Sequence, residues 1–172
     1  MELAESAYLY ALAQISITFA GFTALIMLLR QNVGGKTSAM DFFVTRNFLL
    51  ISFLIVAGTM VPSLLAALSL PHDLVWRAAS AAVAVPLLAF VASLPWRRRA
   101  VTTGRSPKFV WVRESIHVAA IVILLLNAAG LLGIPKAGPF ELGLFLILFG
   151  QLFAFVMSTD QLLIAHHWSK TE

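Results

Sequence analysis

The sequence predicts an all-α membrane protein, a bundle of about five transmembrane helices, and three observations predict it. The chain of 172 residues is 60% hydrophobic and only 12% charged, about half the charge of an ordinary soluble domain. Its mean hydropathy is +0.90. Its apolar residues fall into five stretches of ~20 or more, each able to cross the apolar layer of a bilayer as a helix. So few charges cannot cover the surface of a water-soluble fold, so the remaining surface must face lipid. Five helices and short turns consume the whole chain, which leaves one domain over 1–172 and no room for a separate soluble unit.

The first helix is predicted over 6–29, with Arg30 closing it and Gly34-Gly35 breaking the polar turn that follows. Asp41 can cap a second helix over 42–69. Pro62 lies inside it, tolerated because neighbouring helices re-satisfy the freed carbonyl. Leu70-Pro71-His72-Asp73 reads as a tight turn, with Asp73 as N-cap of a third helix over 74–96 that contains Pro86. The most polar loop runs over 97–108 and carries Arg97, Arg98, Arg99, Arg105 and Lys108. A fourth helix is predicted over 110–132, a rigid Gly/Pro turn over 133–139, and a fifth helix over 140–165.

Orientation follows from the cations, which concentrate in cytoplasmic loops. Placing the Arg97-Arg98-Arg99 loop inside leaves only Arg77 and Lys136, of the 12 Lys and Arg, on the other side. The expected topology therefore has the N-terminus outside and the C-terminus in the cytoplasm. Arg77, four residues into the third helix, is expected to snorkel to the outer surface. Met1-Glu2-Leu3-Ala4-Glu5 has two acids and no Lys or Arg, unlike the basic start of a signal peptide, so the first apolar stretch is expected to stay as a helix.

Several function classes are excluded or disfavoured. Without cysteine there is no disulfide, thiolate chemistry or cysteine-ligated metal. The net charge of +4 sits at helix boundaries without interleaved aromatics, so nucleic acid is not an expected partner. No phosphate-binding glycine loop, His-Glu-x-x-His or Gly-x-Ser-x-Gly is present. Ser115 and His117 are two residues apart and diverge on a helix. His117 with His166 or His167 makes a poor metal or haem set, since the tail pair lies beyond the apolar run and metals want three or four ligands. No enzyme activity, cofactor or metal is expected. Five helices also cannot form two equal inverted halves, the usual carrier architecture.

Three groups of residues remain as candidates. Gln14, Thr18, Thr59, Asn127 and Gln151 are uncharged polar groups expected at a similar membrane level. They would either line a path for a solute or proton or bond helix to helix. Gln14, Thr18 and Gly21, spaced i, i+4, i+7, share one face of the first helix. The second group is ionisable and cytoplasmic: Arg46, Arg113, Glu114, His117 and Asp160. It is either a salt-bridge cluster tying helix ends or a gate with His117 as proton acceptor. The third group is small: Ala20, Gly21 and Ala24 in the first helix, and Gly150 and Ala154 in the fifth. These let backbones approach, within one chain or between subunits. Phe145, Phe149 and Phe153 form a stripe that reads as packing or lipid contact.

The run Gln14-Ile15-Ser16-Ile17-Thr18-Phe19-Ala20-Gly21-Phe22 resembles the first helix of a group of small bacterial inner-membrane proteins, in which a Thr-Phe-x-Gly-Phe-like run follows a short acidic N-terminus. The Pro62 region, Trp76-Arg77-Ala78-Ala79-Ser80 and Asn127 are similar as well. The resemblance implies a multi-pass topology in a bacterial inner (plasma) membrane and carries no activity with it. The expected function is that of a small non-enzymatic membrane protein acting by assembly, as a homo-oligomer or as one subunit of a larger membrane complex in the lipid bilayer. The competing expectation is a small channel or transporter, its path lined by the polar layer and gated by the ionisable cluster.

Overall fold

The computed structural model describes residues 6–32, 39–102, 108–133 and 136–168; the side chains of 29–32, 41, 108–109 and 158–168 are outside the description. The described residues form five α-helices and no strand: α1 (Ser6–Asn32), α2 (Ala39–Ala67), α3 (His72–Arg99), α4 (Lys108–Ala129) and α5 (Ala137–Trp168). All five are long and apolar enough to cross a membrane, which makes this a multi-pass helical membrane protein.

Sequence-neighbouring helices pack against one another, and α5 also touches α1, α2 and α3. Thus α5 sits among the other four, while α1 lies at the edge against α2 and α5. The core joins Leu9 and Leu12 of α1, Ile51 and Ile55 of α2, Trp76, Val83 and Leu87 of α3, Leu124 of α4, and Phe140, Leu144 and Ile147 of α5. Two glycines allow this closeness. A Cβ on Gly58 of α2 would stand 2.7 Å from Val83 Cγ2 of α3, and one on Gly143 of α5 would stand 2.6 Å from Leu124 Cγ of α4. Both were passed over in the small-residue patterns of the sequence.

The boundaries depart from expectation at several places: α1 runs to Asn32, α2 begins at Ala39 so that Asp41 lies inside it, Asp73 falls in the first turn of α3 rather than at its N-cap, α4 begins at Lys108, and α5 begins at Ala137 and runs to Trp168. Helix α2 ends at Ala67 and α3 begins at His72, with Ser69 at positive φ in the turn. Helix α3 runs on through Pro95 to Arg99, so Arg97 belongs to a helix rather than to the polar loop. Helix α4 stops at Ala129, short of the expected 132. Its end is set by Gly130 at φ +75°, with Gly130 N–H donating to Asn127 O and Leu131 N–H to Leu126 O, the glycine-terminated pattern that closes many helices. The guanidinium of Arg77 lies against Gly130, where a Cβ would meet Nη2 at 2.8 Å. Its positive charge thereby faces the negative end of α4.

Candidate functional site: a buried polar cluster between α2, α3, α4 and α5

Arg97 organises one end of the bundle. The Phe90 carbonyl accepts from Ser93 Oγ (2.9 Å) and from Arg97 Nη2 (2.8 Å). The same guanidinium donates from Nη1 to Asn47 Oδ1 of α2 at 2.9 Å and stacks over the Phe90 ring at 4.3 Å. A half-buried arginine needs acceptors to offset its lost hydration, and Asn47, itself buried, supplies one from the next helix. Arg97 is near enough to Arg46, Arg113 and Glu114 to feel their charge.

Helix α4 brings Arg113, Glu114 and His117 to the same end. Arg113 Nε donates to Glu114 Oε1 at 2.8 Å and Nη2 pairs with the same oxygen. Glu114 Oε2 lies 3.8 Å from His117 Nδ1, beyond hydrogen-bond length. His117 is fully buried. Its ring rests on α5 at Gly150, where a Cβ would stand 3.1 Å from Nε2. Arg113 and His117 thus lie on either side of Glu114, while Arg46 is within electrostatic range of Arg97 but exposed. His117 stands seven residues inside the stretch of α4, from Val110, that is apolar enough to span a membrane. Asp160 falls on α5, with its side chain outside the described residues.

The five polar-layer residues do not share a lining. Gln14 and Thr18 are exposed on the outer face of α1, where Thr18 Oγ donates to Gln14 O at 2.8 Å. Thr59 is buried and bonds within α2 to Val56 O at 2.7 Å. Asn127 is buried close to the end of α4: Nδ2 donates to Ser80 Oγ (2.9 Å) and to Lys136 O (3.2 Å), and Oδ1 accepts from Lys136 N–H (3.3 Å). It therefore latches α3 and α4 to the start of α5 and sits shallower than expected, because α4 ends early. Gln151 alone is buried with an amide nitrogen lacking a partner. Of the small residues, Ala20 and Ala154 are buried and Ala24 half-buried. Gly150 receives an imidazole rather than a helix backbone, and Gly21 faces outward with nothing within 4 Å. Phe145 and Phe149 stack on the exposed surface at 6.3 Å.

Sequence reasoning missed Arg97, Asn47 and the buried Ser16. Sequence spacing does not pair Asn47 with Arg97, since Asn47 stands 20 residues before the end of α2 and Arg97 25 residues after the start of α3.

The class this arrangement defines is a five-helix, multi-pass membrane bundle with a partly buried ionisable cluster. The chain matches no protein-family model, no curated protein and no solved structure.

Proposed function

We propose that the protein is a small non-enzymatic membrane protein acting by assembly in a bacterial plasma membrane, with its N-terminus outside and its C-terminus in the cytoplasm. It works as a homo-oligomer or as a subunit of a larger membrane complex. One observation carries this reading: Gln14, eight residues inside the α1 span, is exposed on the outside of the bundle. A carboxamide facing lipid is costly, and a hydrogen bond from a neighbouring helix relieves that cost. Thr18 and Gly21 continue the same face, and the space over Gly21 is open, which suits close approach of another helix. The topology rests on the excess of cations at one set of helix ends. The channel reading has less support, since Gln14 and Thr18 stand outside the bundle while Thr59, Asn127 and Gln151 stand inside it.

Because the chain has no cysteine, a single Gly21→Cys substitution reports on its own. Oxidative cross-linking in native membranes should trap Gly21→Cys in a disulfide-linked homodimer if copies meet on this face. Co-isolation with other chains would mark the subunit form. A protein that neither cross-links nor co-isolates, and has the mass of one chain in nanodiscs, would remove the assembly reading.

A further inference from the structure

Seven buried side-chain polar atoms among the described residues lack a hydrogen-bond partner, and five belong to four residues of the ionisable region: Arg97 Nε, Glu114 Oε2, His117 Nδ1 and Nε2, and Gln151 Nε2. Buried polar atoms in folded proteins are nearly always paired, and each exception asks for a cause. An ionisable side chain in a membrane interior is costly and marks function by default. Two of these atoms face each other. Glu114 Oε2 and His117 Nδ1 are 3.8 Å apart. A hydrogen on Nδ1 would let the pair close by about 1 Å into a charge-assisted bond. The gap fits two acceptors, a carboxylate oxygen and a bare ring nitrogen, with the ring hydrogen on Nε2.

We propose that the space between Glu114 Oε2 and His117 Nδ1 is a proton-binding site inside the bundle. One proton from the aqueous end marked by Arg46 and Arg113 adds to the lone pair of Nδ1. Neutral imidazole becomes imidazolium, Glu114 stays a carboxylate, and no other bond breaks. The new N–H donates to Oε2 and closes the gap. The ring thereby moves away from Gly150, so the site reports proton binding to the contact between α4 and α5. Glycine at 150 is what lets the ring rest against α5 before the proton binds, since a Cβ there would press on Nε2 at 3.1 Å and Cδ2 at 3.2 Å. The charged group facing the ring is Glu114 on its own helix; Arg113 pairs with that carboxylate, and Arg97 of α3 lies within electrostatic range of Glu114, Arg113 and Arg46 of α2. The stretch of α5 against it presents Gly150 and the neutral Gln151; Asp160 lies nine residues further along. The site stands independently of the assembly reading.

The test is ring-nitrogen NMR of the full chain, labelled with ¹⁵N-histidine, in nanodiscs over the pH range in which the bundle stays folded. The His117 signals are assigned by their loss in His117→Gln, or, if that variant does not fold, by the contact of its ring with Gly150. At high pH Nδ1 should show the shift of a bare nitrogen and Nε2 that of an N–H. Lowering pH should convert Nδ1 reversibly to N–H and leave Nε2 nearly unchanged. Glu114→Gln should move this change to lower pH, because the imidazolium loses its counter-charge. A ring that never changes with pH, one whose Nδ1 carries hydrogen throughout, or a titration indifferent to Glu114→Gln would each overturn the proposal.

Discussion

Arg97 Nη1 on α3 donates to Asn47 Oδ1 on α2 at 2.9 Å, and this bond ties two antiparallel helices together far from the turn that joins them. Losing one partner and losing both have unequal consequences. Asn47→Leu leaves a half-buried guanidinium short of an acceptor and should cost about 1–3 kcal/mol, toward the lower end because water still reaches part of the cation. Arg97→Met should cost less, since Ser93 still serves the Phe90 carbonyl. The double variant should recover most of the loss, because replacing both partners by apolar groups approaches neutrality. Reversible unfolding in a bilayer mimic measures all three. Simple addition of the two single losses would contradict a direct bond.

The outer face of α1 makes a different prediction. Gln14→Leu should leave the unfolding of one chain nearly unchanged, since this side chain faces away from the core. It should weaken association by about 3- to 20-fold, the equivalent of one interhelical hydrogen bond of ~0.6–1.7 kcal/mol. Dilution of labelled protein into excess lipid, read by energy transfer, gives the association constant. An unchanged constant beside a lowered unfolding free energy would place Gln14 inside a bundle rather than between partners.

Three glycines separate packing from backbone freedom. Gly143→Ala drives a methyl to within 2.6 Å of Leu124 Cγ, and Gly58→Ala one to within 2.7 Å of Val83 Cγ2. Each should destabilise by about 1–3 kcal/mol through overpacking. Gly21→Ala meets nothing within 4 Å in the single chain, so its fold should be unaffected or slightly stabilised by better helix propensity. Parallel unfolding curves decide the matter, and equal effects at Gly143 and Gly21 would contradict the packing described.

Asn127 should behave as a latch. Asn127→Leu removes its bonds to Ser80 and to both backbone groups of Lys136 and leaves buried groups unpaired, at a cost of about 1–3 kcal/mol. The Lys136 amide, which donates to Asn127 Oδ1, should then exchange its hydrogen faster, while amides in the middle of α4 keep their protection. Hydrogen exchange by mass spectrometry reads the two regions separately. Uniform acceleration along α4 would mean that Asn127 supports the whole helix rather than its end.

What the sequence determined by itself is the number of spans and their approximate places. That information is one-dimensional: a run of ~20 apolar residues crosses a bilayer wherever it occurs, and Gly, Pro and charge interrupt it locally. Helix rotation and exact length are not local, and the tertiary structure decided them. Gln14 and Gln151 look alike in sequence, yet one faces outward and the other is buried, because α1 turns Leu9, Leu12 and Ser16 to the core while the contacts at Gly143 and Gly150 turn the Gln151 side of α5 inward. Arg97 read as a loop cation until Asn47 and the Phe90 carbonyl gave it acceptors that extend α3 past Pro95. The sequence left open what His117 packs against; the structure buries its ring on α5 at Gly150.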